Sequence, residues 1–510
     1  MTGTRARPDR TAALVLWASV IAFVAIVLFG ASGGIRGSDQ YWYFDDTETL
    51  LRGDPAFTNC LYPRQLLVQG IEVSPIIHDI LPQRAVIPIA KAIGPYWSWI
   101  AMNLAAMLLG AWLTFVAVRR VGDERIAACA ASALLLLPLP VQGATQLLAE
   151  SSIVPIFAAL LVLLGRPGGF GKYAALAAVL TIAFMSRFTS IAFLLLLPIV
   201  PFTERASMPR RVALAAWCVA LLAAGVLLNG MLFRGIPLPG SPIALQINGN
   251  GMNIWLTTDP IVLTIDSVIA KLALFVRSHA ELSTAAKVVA SINWALMLAG
   301  SIGAAMLWRR GERVLAAFVW AVVAVNVATL TLYQNQIRFV LPTFPVLLFG
   351  AAALAERAAA ERPRLRTALA LLLPAALLPI AIVVAIVARR EGVREAPESA
   401  RLVALAAELH GEGDVIHVGG NDQMFAHGMR PRAVLFVSSD QAAADWARIR
   451  EMPRWRWITA APGDLERLKS LGLEFEMVAG SEHRGAPLVV AEITNRGAPP
   501  RGATLSAPSP

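Results

Sequence analysis

Charge is scarce in this 510-residue chain: Asp, Glu, Lys and Arg make up 15% of it, against 57% apolar residues. So little charge excludes an ordinary soluble globular composition, in which about a quarter of residues are charged. Cysteine is scarcer still. Cys60, Cys129 and Cys218 are too few and too scattered for a disulfide framework. The six histidines show no HExxH or comparable ligand spacing, and there is no Cys/His cluster, so no metal site is read from the sequence. Glycines occur in GEGDVIHVGGN (411–421), but no GxGxxG precedes a helix there, which argues against a dinucleotide fingerprint. No internal repeat emerges, unlike the pattern of many secondary transporters.

What the chain has is long apolar runs, many of them near the ~20 residues that cross a bilayer. They predict a polytopic α-helical membrane protein with about eleven transmembrane helices. The spans fall at 12–31, 98–118, a hairpin of two within 126–165, two short ones within 173–202, then 212–233, 288–308, 314–333, 339–355 and 367–388. The first run is long for the apolar core of a signal peptide and is taken as a span that follows Arg5, Arg7 and Arg10. Within 173–202, a single span would bury Arg187 and invert every later loop. Two short spans put Arg187 at an outer apex and keep TERASMPRR (203–211), RRGER (309–313) and ERAAAERPRLR (356–366) on the side of the N-terminus. Such short spans need protein around them rather than lipid.

The charge distribution orients this layout. Six short segments placed inside carry 18 Lys and Arg, whereas outer residues 32–97 carry 5 against 7 acids. The net charge of +10 is then a loop asymmetry of a cytoplasmic-membrane protein, not the footprint of a nucleic-acid partner. The expected organisation is a membrane domain over 1–390 with outer loops 32–97 and 234–287, its N-terminus cytoplasmic. An extracytoplasmic α/β domain follows over 391–495, where helical and strand patterns alternate, and then a disordered tail, 496–510.

The first outer loop opens on SDQYWYFDDTETLLRGDPAF (38–57), with Asp39, Asp45, Asp46 and Glu48 interleaved with Tyr41, Trp42 and Tyr43. A solvated loop with an aromatic belt is one reading. The other is catalytic. A carboxylate at the mouth of a span can take the proton of a hydroxyl attacking a lipid-linked sugar, and neighbouring acids raise one another's pKa toward a useful base. A second carboxylate could hold a divalent cation. Three further charges sit in apolar surroundings. Glu150 opens a span in LLAESSIVPIFAALLVLLG (147–165), Arg187 lies in FMSRFTS (184–190), and Arg338 lies in YQNQIRFVLPTFPVLLFG (333–350). An ionisable residue there is a functional candidate, and a guanidinium matches phosphate bidentately. For Arg187, pairing with Glu150 is the structural alternative; for Arg338 it is snorkelling at a helix end. HDILPQRAVIPIAKAIG (78–94) reads as an amphipathic interfacial helix that brings His78 and Arg84 toward donor or acceptor.

Asp39, Tyr43, Leu50, Leu51, Gly53 and Asp54 together resemble the first-loop signature of the GT-C superfamily of polyprenyl-phosphate-dependent glycosyltransferases. The closer branches are the protein O-mannosyltransferases and the lipid A aminoarabinose transferases. Those show an Asp-Glu pair, a Tyr three residues on and a leucine-rich helix ending in Gly-Asp. Here Gln40 stands where Glu is usual. Glu150, the Ser186–Arg187 pair, and Arg338, Phe339, Pro342 and Pro345 match later motifs. The resemblance implies transfer of a sugar, with inversion, from a polyprenyl-phosphate donor to a glycolipid, polysaccharide or protein acceptor at the outer face of the cytoplasmic membrane. Asp39 would be the base, with Asp45 and Asp46 as runners-up, and Tyr43, His78, Arg84, Glu150, Arg187 and Arg338 would bind substrate. No cofactor is implied, and a divalent cation is left open. A transporter or flippase, or a polymerase or ligase of lipid-linked sugars, is the alternative.

Overall fold

The computed structural model describes residues 9–36, 38–52, 60–61, 80–166, 169–186, 198, 200–203, 206–234, 284–328, 330, 337–409, 413–419, 434–437, 439–440, 442–443, 455–483 and 486–494. In chain order the elements begin α1 (Arg10–Ala31), α2 (Ser38–Leu51), β1 (Cys60–Leu61), α3 (Ile80–Ile93), α4 (Pro95–Val118), α5 (Glu124–Leu136), α6 (Pro138–Ala144), α7 (Glu150–Leu164) and α8 (Phe170–Ser186). Then come α9 (Met208–Arg234), α10 (Thr284–Arg309), α11 (Arg313–Ala328), a 3-10 helix (Ile337–Thr343), α12 (Phe344–Ala359) and α13 (Pro363–Ala407). β2 (Asp414–Val418), β3 (Val434–Val437), β4 (Trp455–Ala460), α14 (Pro462–Ser470), β5 (Phe475–His483) and β6 (Ala486–Ile493) complete the order. The chain divides into two compact units. One comprises Met1–Gly34, His78–Ile243 and Asp259–Arg390; the other comprises Ile35–Ile77, Ala244–Thr258 and Glu391–Pro510.

The first unit is helical. Among the described residues, five helices are long and apolar enough to cross a membrane: Arg10–Ala31, Pro95–Val118, Ala286–Arg309, Arg338–Ala359 and Pro363–Ala406. The pair α5–α6, bent by 54°, makes a sixth if counted as one span. The bend has a local cause. Pro138 lacks an N–H to continue the helix, and Leu137 before it is held in extended backbone (φ −63°, ψ 147°). Shorter apolar helices run over Glu150–Leu164, Phe170–Ala183 and Arg313–Ala328. This is a membrane-embedded helical protein. Of the two short spans expected within 173–202, α8 covers the first, and Arg187 lies outside the described residues.

Packing follows from side-chain size. α1 buries Val15, Ser19, Phe23, Ile26 and Gly30 on one face and exposes Leu14, Trp17 and Ile21 on another, so it is apolar all round, as expected of a helix between protein and lipid. α10 and α12 cross at glycines: a methyl added at Gly303 would lie 1.7 Å from the Gly350 carbonyl oxygen, and one at Gly350 would lie 2.6 Å from that of Gly300. Small residues are what let two membrane helices come so close.

At one end of the bundle the charged loops lock together. Asp9 caps α1, accepting from Thr11 N at 2.8 Å, and its other oxygen accepts from Arg125 Nε at 2.7 Å. Arg125 also donates to Thr367 Oγ1. Glu124 pairs with Arg119 at 2.6 Å, and Arg366 bridges Asp123 at 3.3 Å and Glu356. Arg310 donates to the Val121 carbonyl at 3.3 Å. Desolvation alone would raise the Asp9 carboxyl. The Arg125 hydrogen bond, the backbone N–H groups of Ala12 and Thr11 and the Arg125 charge outweigh it and hold that carboxyl below its ordinary value.

The second unit is built on a six-stranded sheet, order β1-β3-β2-β4-β6-β5. β2 is parallel to both β3 and β4, while β4, β6 and β5 run antiparallel. Alternation along the strands sends successive residues to opposite faces. Ile416, Val418, Ile458 and Ala460 pack with Leu465 and Leu468 of α14. Val415, Val434, Trp457, Leu488 and Val490 pack on the other face with Leu402, Leu405, Ala406 and Leu409, from the end of α13 and just beyond it. The strands and α14 fall where the alternating patterns of the tail predicted them. Residues 38–61 add two pieces: α2, whose Tyr41 packs on that second cluster, and β1, which pairs in parallel with β3 (Cys60 with Val434, Leu61 with Leu435).

Candidate active site

Two groups of candidate residues take shape, one in each unit. In the first unit the bend at Pro138 turns the chain into α6, and α7 begins six residues after α6 ends, with Glu150 in its first turn. Gly143 is the point of close approach: a methyl there would meet Leu341 Cδ2 at 2.5 Å and Ser151 Oγ at 2.8 Å. Its bare backbone lets the 3-10 helix that carries Arg338 lie against the start of α7. Asn103 of α4 donates from Nδ2 to the Gln146 carbonyl at 2.7 Å and pins the loop ahead of Glu150. Thr343 closes the 3-10 turn on the Val340 carbonyl at 2.7 Å and accepts from Asn326 Nδ2 at 2.7 Å.

These supports bring Arg338 Nε to 3.4 Å from Glu150 Oε1. The Glu150 side chain is 1% exposed and that of Arg338 28%. Glu150 also sits at a helix N-terminus, where the macrodipole favours a negative charge. The pair is therefore one-sided: a buried carboxylate lies against the Nε edge of a guanidinium that still reaches a wetter surface. Phe339 supports the arginine, its ring centroid 5.5 Å from the Arg338 guanidinium carbon. Both residues were candidates in the sequence; Glu150 lies against Arg338, and the pairing with Arg187 considered there falls outside the described residues. Asn103, Gly143, Ser151, Asn326 and Thr343 were not singled out. A polar side chain inside an apolar run is the signal that could have found Asn103 and Asn326.

In the second unit the acidic stretch 38–51 is helix α2. Asp39 and Asp46 lie on it; Asp45 is also on it, and its side chain is 4% exposed. Tyr43, expected to touch substrate, is 5% exposed, and its carbonyl accepts from Thr47 Oγ1 at 2.6 Å. Gln40, Tyr43 and Thr47, spaced i, i+3 and i+7, form a buried side of the helix. The Gln40 amide donates from Nε2 to the Arg36 carbonyl at 2.6 Å. An ionised glutamate has no donor for that carbonyl, which gives the departure from Asp-Glu a structural reason.

Arg84 is exposed on α3, on the side away from buried Gln83, Val86 and Ala90. His78 and Arg187 lie outside the described residues. Among the described residues no three of His, Cys, Asp and Glu gather as a metal site would need.

No family model matches the sequence, and no curated protein matches it either. Solved structures do match. ArnT from Cupriavidus metallidurans in the apo state aligns with a TM-score of 0.55 at 15% identity, over 92% of this chain and 97% of that one. ArnT bound to undecaprenyl phosphate gives 0.54 at 15% identity, over 94% and 99%. The oligosaccharyltransferase AglB from Archaeoglobus fulgidus, in complex with an inhibitory peptide and a dolichol-phosphate, gives 0.54 at 12% identity, over 87% and 69%. ArnT and AglB belong to the GT-C superfamily, and this chain shares their fold.

Proposed function

We propose that this chain uses its GT-C fold as a membrane glycosyltransferase, moving a sugar from a polyprenyl-phosphate donor to an acceptor at the outer face of the cytoplasmic membrane. The observation that carries this reading is the fold shared over 94% of the chain with a protein that holds undecaprenyl phosphate. The Glu150–Arg338 pair gives it chemical content. The bond from the anomeric carbon to the donor phosphate breaks with its electron pair going to phosphate, so charge grows on phosphate oxygens as the reaction proceeds. A guanidinium placed there in advance stabilises that growing charge. Arg338 takes this role. Glu150, too deep to touch donor or acceptor, holds Arg338 in register.

Asp39 is the base. It takes the proton of the acceptor hydroxyl as that oxygen attacks the anomeric carbon from the side opposite the phosphate, which inverts the configuration. Asp45 ranks lower because its side chain is buried, and Asp46 stays a runner-up. Tyr43 is buried on the inner side of α2 and serves packing. Arg187 remains a second candidate for the phosphate, and His78 and Arg84 for the acceptor side. A carboxylate of α2 could also hold a divalent cation. The acceptor is a glycolipid, a polysaccharide or a protein.

The test is transfer in membranes supplied with radiolabelled undecaprenyl-phosphate sugars, run as a panel of mannose, arabinose, aminoarabinose and galactose donors. Asp39→Asn should lower product formation by about 10²- to 10⁴-fold, the usual worth of a general base, while the protein still inserts. Activity kept in Asp39→Asn moves the base to Asp45 or Asp46. Flux into proteoliposomes without a glycosidic product for any donor replaces this reading with a transporter.

A further inference from the structure

Residues 38–61 meet the C-terminal sheet at two points, both inside the second unit: Tyr41 of the acidic helix, and β1 beyond it. Tyr41 packs, partly buried, against the cluster that includes Leu402, Leu405, Val415, Trp457 and Leu488. It also meets Phe44 edge-on, with ring centroids 6.5 Å apart. Further along, Cys60 and Leu61 join the sheet beside β3 as its edge strand. α2 has 14 residues, and an isolated helix shorter than about 12–15 residues is marginal in water, so its order comes from tertiary packing. Tyr43 fills the inner side of the helix, and among the described residues of α2 it is Tyr41 that packs against the sheet's second cluster, so its ring links the helix to the domain.

From these contacts we infer that the C-terminal α/β domain positions the base, and that Tyr41 is the positioning residue through which it does so. Tyr41 stands two residues from Asp39 on one rigid helix, so fixing its ring against the sheet fixes where the Asp39 backbone lies. The inference rests on the reading of Asp39 as the base. It assigns the domain a part in the chemistry: misplacing a reacting group by about 1 Å costs about 10²-fold in rate.

The experiment uses the full chain with Tyr41→Ala and Tyr41→Phe, followed by hydrogen exchange over 38–51 and by transfer kinetics with the labelled donor panel. Tyr41→Ala should speed exchange in 38–51 while leaving 414–418 and 455–460 protected. It should lower kcat by about 10²-fold with KM for the donor unchanged. Tyr41→Phe, which keeps the ring, should restore both readouts. Unchanged exchange over 38–51 in Tyr41→Ala overturns the inference, and so does faster exchange with kcat intact. If Tyr41→Ala fails to accumulate in the membrane, Tyr41→Leu, which keeps bulk but loses the ring, is judged by the same outcomes. The underlying reading fails separately: Asp39→Asn that keeps its activity removes the base assignment, whereas the exchange result reports the seating of α2 by itself.

Discussion

Glu150 and Arg338 show how unequal the two halves of an ion pair can be. Removing Arg338 takes a cationic partner from a buried carboxylate, and breaking a buried pair this way costs about 3–5 kcal/mol. The partial exposure of Arg338 places the expected loss near the low end of that range. Arg338→Ala should therefore lower the thermal midpoint in detergent as well as abolish transfer. Arg338→Lys keeps the charge but not the fork, and should recover more stability than activity; the two measurements on the same preparations check this. Asp9 gives a pH dependence. Its folded pKa is depressed, so its contribution to stability is complete above the unfolded value of about 3.9 and is lost as pH falls through the lower, folded value. Asp9→Asn should flatten that acid limb in a thermal-shift series. At this scale the sequence showed which charges were out of place, since any acid or arginine in an apolar run stands out. It did not show who pairs with whom, because Glu150 and Arg338 are brought together by the bend at Pro138 and by the bare backbone of Gly143, neither of which carries charge.

Among the elements, legibility tracked how strongly each segment carries a period. α4, α10 and the first part of α13 were plain as apolar runs, although α13 continues past the expected end at 388 through a charged stretch to Ala407; β2, β4 and β6 were plain as short strand patterns between turn residues. The two-residue β1 was not readable, because Cys60–Leu61 is too short to alternate and gains its strand character only by pairing with Val434 and Leu435. The span expected from 339 is present as Arg338–Ala359, but its opening residues wind as a 3-10 helix before α12, where Pro342 has no N–H for an α-helical bond. The crossing of α10 and α12 is the most sensitive packing point. Gly303→Leu places carbon where the Gly350 carbonyl already lies, which forces the helices apart. Overpacking of this kind costs about 1–3 kcal/mol and more when only backbone can yield. The expected result is loss of folded protein by fluorescence-detected size exclusion, with Gly171→Leu, which meets nothing within 4 Å, as the unaffected control.

For the molecule as a whole, the broad class was legible from composition, and the GT-C fold from the order of its short motifs rather than from any one of them. What composition could not show is that Cys60–Leu61 and the C-terminal residues share a sheet, because these partners lie more than 350 residues apart in the chain. The charge asymmetry makes a prediction at this scale. Cysteines placed singly at Gly122, Gly311 and Glu361, in a background without the native three, should all react with a membrane-impermeant maleimide from the same side. Labelling in right-side-out and inverted vesicles reads this directly.

The clamp at the end of the bundle has a consequence for how the protein is made. Asp9 is synthesised well before its partners: its carboxylate is held by Arg125, 116 positions later, and Arg125 in turn is held by Thr367, 242 positions after that. α1 therefore waits, its Asp9 not yet clamped, through synthesis of the intervening helices, and this chain of contacts closes only when α13 emerges. Ala12→Cys, buried in the finished bundle, should stay open to maleimide in ribosome-bound chains stopped before residue 363 and become protected in full-length chains. Protection in the stopped chains would mean that closure does not wait for α13.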